Sequence, residues 1–357
     1  MKKIEIYLRK FLLNVLLLFR RPSKSGPVDY QSPNTKILFI RLNRIGDALV
    51  ATPLIHEIRK AVKSKLFLLA DKKNHFVFEY NNDIDKVVVF EKGLKGIFKV
   101  LRFIKDNNIN TVVDLHDDVS TTVTFLIAFS NAPNKFGLEK ANERIYTETV
   151  PRLNSENNHI IVRLLEICRL FNIRYNKDSV NVKYSIQQDS ERYVAKFLQG
   201  NKIASSFLLG INISAGSKAR FWGVSNYKRL LTFLSLFNVN YLILAAPDDL
   251  DLANEISENS THIYSSNDYN EYAAMISKLN LLFTPDTAAV HLASAFRIPV
   301  FGIYVKYNTK DMLWTPYCSK FDYVVTEEPN LDNVSFARVI ERFEPFLRTI
   351  LLENDKL

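Results

Sequence analysis

The hydrophobic positions of this chain come in compact blocks. The runs KILFIRL (36–42), KLFLLA (65–70), KVVVF (86–90) and TVVDLH (111–116) are short and nearly continuous. They lack the polar alternation of a half-exposed strand, and so predict strands buried on both faces. Between them the spacing becomes helical over residues 48–62, 96–105 and 120–130. Residues 157–171 and 190–198 also read as helices and carry the chain onward. The pattern then restarts. SFLLGINIS (206–214), NVNYLILAA (238–246), THIYS (261–265), NLLFTP (280–285) and IPVFGIY (298–304) predict strands. Helices are predicted over 225–236, with Ser225 as N-cap, and over 248–257, 268–278 and 286–296. A final helix over 333–352 can cross back to the first half.

Strands alternating with helices in two successive sets predict an α/β protein. Two doubly wound, Rossmann-like parallel-sheet domains are expected, over residues 36–175 and 200–330. They would face a cleft at the carboxyl ends of their strands, where such sheets bind ligands. A C-terminal element spans 331–357. Residues 22–35 (RPSKSGPVDYQSPN) read as a linker.

The chain has 357 residues, long for one domain and suited to two. At 47% hydrophobic it can bury a large core. The two cysteines, Cys168 and Cys318, fall in different predicted domains, which argues against a disulfide framework or a metal cluster and fits a reducing compartment. Charge is unevenly placed. Seven basic residues against Glu5 give residues 1–25 +6 of the chain's +9. The remaining +3 is too little for a nucleic-acid-binding face, and no nucleic-acid partner is expected. The same segment is apolar over residues 11–19, interrupted by Asn14. That run is too short to span a bilayer, which takes about 20 residues. Arg20-Arg21-Pro22 stands where a signal peptide would have small residues. An amphipathic segment lying on an anionic cytoplasmic leaflet fits the pattern; a helix packed on the protein's own surface is the alternative.

Three post-strand segments carry candidate chemistry. Arg-Leu-Asn-Arg-Ile-Gly-Asp (41–47) joins the first strand to its helix with one glycine and an aspartate. Asp47 at a helix start serves either as a cap or as a general base within reach of an attacking hydroxyl. SAGSKARFW (214–222) offers Ser214, Ser217, Lys218 and Arg220, hydroxyls and cations suited to a pyrophosphate, or an ordinary basic loop. FTPDTAAVHLASAF (283–296) opens a helix at Asp286 or Thr287, whose first amides can meet a phosphate. His291 lies one turn on from Thr287, or is simply a buried histidine. His116-Asp117-Asp118 follows the fourth strand and is placed to meet an acceptor sugar or to solvate a loop. The triplets Asp83-Ile84-Asp85 and Asp249-Leu250-Asp251 are poorly placed for a metal–diphosphate site, and no metal is expected.

Together, these segments resemble glycosyltransferase family 9, the heptosyltransferase-like enzymes of lipopolysaccharide assembly. The resemblance rests on Arg41–Asp47 followed by Ala51-Thr52-Pro53-Leu54, on Gly216-Ser217 with Arg220-Phe221-Trp222, and on Asp286-Thr287-Ala288-Ala289-Val290-His291-Leu292-Ala293-Ser294. KFGLEKAN and NNHIIVRLLEICRLFNI are similar to the family's connecting segments, and the likeness covers about residues 36–305. Gly223 stands where the family has proline, Ala288 where it has glycine, and Asn43 where serine or aspartate is common. The resemblance implies a GT-B fold and an inverting, metal-independent transfer of heptose or a related sugar. The donor would be a nucleotide-diphosphate sugar, with ADP-heptose a candidate, and the acceptor lipid-linked or lipopolysaccharide core. No cofactor is implied. Asp47 matches the base. Asn43, Arg44, Gly46 and His116 are the expected acceptor side. Ser214, Ser217, Lys218, Arg220, Asp286, Thr287, Ala288, Ala289 and His291 are the expected donor side. A peripheral place on the inner face of the cytoplasmic membrane follows. A non-catalytic nucleotide-sugar-binding protein and a GT-B-type epimerase are the alternatives.

Overall fold

The computed structural model describes residues 25–203, 207–257 and 263–354. The predicted membrane-associating segment, residues 1–25, therefore lies outside the described residues except for Ser25. The chain divides into two compact units, Met1–Lys183 and Tyr184–Leu357.

In the first unit, β1 (Lys36–Arg41) leads into α1 (Ile45–Ala61), and β2 (Lys65–Asp71) and β3 (Lys86–Phe90) follow. Then come α2 (Leu94–Asp106), β4 (Thr111–Asp114), α3 (Thr121–Phe129), β5 (Asn134–Leu138), β6 (Glu148–Val150) and α4 (Ile160–Leu165). The strands form one parallel sheet in the order β3-β2-β1-β4-β5-β6. β1 is buried along most of its length because both faces are covered. Leu38 and Ile40 pack with Val100 and Ile104 of α2 and Val123 and Ile127 of α3. Strand order reverses between β1 and β4, so the turns leaving these two strands meet at the sheet's switch point, the usual ligand position in this topology.

α1 begins three residues earlier than its apolar period suggests. It also contains Pro53, whose missing N–H would leave the Leu49 carbonyl without its helical partner. The Thr52 hydroxyl donates to that carbonyl at 2.7 Å, and it accepts the Lys183 amide at 2.9 Å. The Thr-Pro pair thus keeps a buried helix satisfied. Gly137 in β5 admits the Tyr146 ring, which an added Cβ would approach to 2.8 Å.

The second unit holds α5 (Gln188–Gly200), β7 (Leu208–Asn212), α6 (Val224–Leu234), β8 (Asn240–Leu244), α7 (Leu250–Ser257), β9 (Ile263–Tyr264) and α8 (Tyr269–Ile276). β10 (Leu281–Pro285), α9 (Ala288–Ala295), β11 (Val300–Val305), β12 (Phe321–Thr326) and α10 (Phe336–Asn354) complete it. Its parallel sheet runs β12-β11-β10-β7-β8-β9, with the reversal between β7 and β10.

One expectation is corrected here. The N-cap of α6 is Gly223, with φ +94°, and Ser225 lies inside the helix. The C-terminal helix packs within the second unit. Val339, Phe343, Leu347 and Ile350 of α10 are buried with Trp222, Phe283 and Phe301, because their spacing puts four apolar side chains on one face against β10 and β11. Among the described residues, no helix is long and apolar enough to cross a membrane.

Candidate active site

The turn after β1 is built around Asn43 and Asp47. Asn43 has φ +130°, a conformation L-residues seldom take, and it is exposed together with Arg44. Arg44 is the N-cap of α1 and makes no side-chain cap bond. Asp47, in the helix's first turn, accepts from Arg41 Nη2 on Oδ1 at 2.7 Å. Arg41 Nε donates to the Asp47 carbonyl at 2.8 Å, and Nη1 donates to Leu115 O. Arg41 is buried, whereas the Asp47 side chain is 20% exposed. Burial lowers the Arg41 pKa, opposed by Asp47, Asp114 and Asp117; a guanidinium so placed remains charged. The Asp47 carboxylate is therefore anchored on one oxygen by a fixed cation and partly exposed at the sheet's carboxyl edge, and does not act as a side-chain cap. Arg41 was not among the predicted site residues. Its signal was an arginine ending an otherwise apolar, buried strand.

His116, expected on the acceptor side, is turned into the protein. Its ring is buried, with Nδ1 2.7 Å from Asp114 Oδ1 and Nε2 2.8 Å from Leu42 O. Both nitrogens are committed inside the protein. Asp117 is likewise engaged, by buried Arg163 and by Arg152 at 2.7 Å. The 83–85 triplet is structural: Asp83 holds His56 at 2.9 Å and Asp85 holds Arg59 at 2.6 Å.

In the second unit the loop after β7 and the turn after β10 flank the switch point and touch. Arg220 Nη2 lies 3.1 Å from Asp286 Oδ2, both side chains partly exposed. Arg220 ends the 3-10 turn Lys218–Arg220, which Ser217 caps by accepting the Ala219 amide at 3.3 Å. Lys218 is exposed. Ser214 accepts the Ala246 amide at 2.7 Å. Thr287, not Asp286, is the N-cap of α9, accepting the Ala289 amide at 3.3 Å. Ala288 is the first helical residue and is partly exposed, while Ala289 is buried. His291 is buried with its ring 6.0 Å from that of Trp314. A residue missed from sequence joins these pieces: Asn212 Nδ2 reaches Thr284 Oγ1 at 2.9 Å, Ser214 O at 3.1 Å and Thr287 Oγ1 at 3.3 Å. A polar residue ending the run LLGIN was its only sign. Among the described residues, no group of three or more His, Cys, Asp or Glu side chains is arranged to hold a metal.

The profile of glycosyltransferase family 9 (heptosyltransferase) matches residues 97–341. The chain belongs to glycosyltransferase family 9. This family-9 enzyme is 18% identical over 321 residues to the lipopolysaccharide core heptosyltransferase OpsX of Haemophilus influenzae, covering 85% of this chain and 88% of that one. Its structure is similar to a family-9 glycosyltransferase of Veillonella parvula, with TM-score 0.78 and 20% identity over 92% of this chain and all of the other. It is also similar to Escherichia coli ADP-heptose lipopolysaccharide heptosyltransferase II, with TM-score 0.68 and 16% identity over 90% of this chain and all of that one. The two parallel six-stranded sheets with flanking helices are those of GT-B heptosyltransferases. The glycine at 223, a departure from the family's usual proline, has a backbone reason. Its φ of +94° is closed to proline, whose ring holds φ at about −65°.

Proposed function

We propose that this glycosyltransferase moves a heptose or related sugar from a nucleotide-diphosphate donor, ADP-heptose being the leading candidate, to a lipopolysaccharide-core or lipid-linked acceptor. Anomeric configuration inverts and no metal takes part. The observation that carries this reading is Asp47, presented at the carboxyl edge of the first sheet with one oxygen held by Arg41. Asp47 takes the proton from the acceptor hydroxyl as its oxygen attacks C1 of the sugar. The new C–O bond forms as the bond from C1 to the diphosphate oxygen breaks, and the electron pair leaves with the nucleoside diphosphate. Arg220 and Lys218 meet the diphosphate charge in a metal's place. Asp286, Thr287, Ala288 and Ala289 present the start of α9 to it, with His291 packed beneath and Ser214 and Ser217 supplying hydroxyls. Asn43, Arg44 and Gly46 form the acceptor side. The relatives' names, lipopolysaccharide core heptosyltransferase and ADP-heptose lipopolysaccharide heptosyltransferase, support the sugar and the acceptor class. The basic, apolar residues 1–25 support a peripheral place on the inner face of the cytoplasmic membrane.

The test is turnover over a panel of nucleotide sugars by wild type and Asp47→Asn, with chelator present. Asn preserves shape and can still accept from Arg41. Turnover is expected with ADP-heptose and to fall by about 10² to 10⁴-fold in the variant, with donor affinity unchanged. Near wild-type turnover by the variant would reduce Asp47 to a structural partner of Arg41.

A further inference from the structure

The turn carrying Asp47 is held from β4 by a buried polar cluster. We propose that His116, oriented by Asp114, is a positioning residue for Asp47, locking the Leu42–Asn43 turn through the Leu42 carbonyl. The inference rests on Asp47 being the base.

A carbonyl oxygen only accepts, so the 2.8 Å contact with Leu42 O requires a proton on His116 Nε2. Nδ1 faces Asp114 Oδ1 at 2.7 Å, and the His116 amide donates to the same oxygen at 2.9 Å. Asp114 Oδ2 accepts from Lys140 Nζ at 2.8 Å and Tyr146 Oη at 2.6 Å. With three donors and the His116 ring packed around one buried carboxylate, neither Asp114 nor the ring has freedom to turn. Burial alone would raise the Asp114 pKa, yet Lys140 and His116 hold it well below the ordinary carboxylate range.

The cluster meets the catalytic turn along two adjacent rungs. His116 bonds residue 42, and Arg41 bonds the carbonyl of residue 115. Arg41 is also the residue that holds Asp47. Between these rungs and α1 stands Asn43 at φ +130°, a conformation that persists only where its surroundings impose it. Release of Leu42 lets the turn relax and carries Asp47 away from its attack geometry. A misplacement of about 1 Å costs on the order of 10²-fold in rate.

The test uses two conservative variants of the whole protein. Gln places an amide nitrogen at the reach of Nε2 and keeps the Leu42 rung. Asn reaches only toward Asp114 and loses it. His116→Asn is expected to lower kcat about 10- to 100-fold, His116→Gln to recover most of it, and both to leave nucleoside-diphosphate Kd unchanged. In an Asp47→Asn background, His116→Asn should cost less than about twofold more, because the base it positions is gone. Equal losses in Gln and Asn, or a full additive loss in the Asp47→Asn background, would overturn the proposal. If Asp47→Asn alone turns over normally, the reading of the base fails first, and does so before His116 is altered. Should His116→Asn not fold, Tyr146→Phe removes one donor from Asp114. Its kcat loss must then vanish in the Asp47→Asn background for the proposal to stand.

Discussion

Arg41 grips Asp47 twice, Nη2 on the carboxylate at 2.7 Å and Nε on the same residue's carbonyl at 2.8 Å. A third bond runs to Leu115. The three acceptors are met by three different nitrogens of a planar fork, a spread that the single nitrogen of a lysine ammonium cannot reproduce. Arg41→Lys should therefore leave at least one buried carbonyl unpaired, at about 1 to 3 kcal/mol. Urea unfolding should show a lower midpoint at unchanged slope, and turnover should fall with it. An unchanged midpoint and rate would show the grip to be incidental.

On the donor side, Arg220→Ala should weaken nucleoside-diphosphate binding by about 1.5 to 3 kcal/mol, the scale of hydrogen bonds to charged groups. Free diphosphate and donor sugar should lose similar amounts by calorimetry, since the proposed contact is with the phosphates they share. Equal affinity in wild type and variant sinks the assignment.

Asp114 gives a pH prediction. Its folded pKa lies below its unfolded value of about 3.9. Its contribution is therefore fully present above that value and is lost as pH falls through the acid range towards the folded pKa. Asp114→Asn should lower stability at neutral pH by about 3 to 5 kcal/mol, because buried Lys140 loses its counter-charge. The variant's stability should also fall less steeply on acidification. Parallel curves for the two proteins in urea melts below pH 4 would contradict this.

Removal of residues 1–25 deletes +6 of the +9 formal charge together with the apolar run at 11–19. Each basic residue near an anionic surface contributes roughly 1 kcal/mol. The shortened protein should leave anionic vesicles in a flotation assay, keep its melting temperature, and retain activity on a soluble acceptor analogue. Equal vesicle binding with and without the segment, or a large drop in melting temperature, would rule the reading out.

Elements buried on both faces were legible because continuous apolar runs such as KILFIRL admit little else. β5 and β6 escape sequence reasoning. Gly137 breaks the apolar run of NKFGL, and the three residues of β6 carry no period. β12 escapes because it is an edge strand, buried only in part. Asp47, Arg220, Asp286 and Thr287 could be found because each lies in a turn leaving a predicted strand. Their contacts could not. That His116 points inward at Leu42 O, and that Asn212 joins two loops, depends on which strands become neighbours across the switch point. No local pattern encodes that. The Ser225 cap failed because Gly223, two residues earlier, takes a positive φ and starts α6 sooner.

The chain's two tryptophans both lie in the second unit, Trp222 in one of the two segments proposed for the donor and Trp314 against the other. Trp222 ends the Arg220 loop, with its indole N–H on Val334 O at 2.7 Å, and Trp314 stands against His291 of α9. All indole emission therefore originates from one unit, so intrinsic fluorescence serves as a label-free optical reporter of that half alone. Nucleotide binding at the proposed donor site should be visible there without a dye, and melting of the first sheet needs a different probe, such as tyrosine absorbance or far-UV circular dichroism.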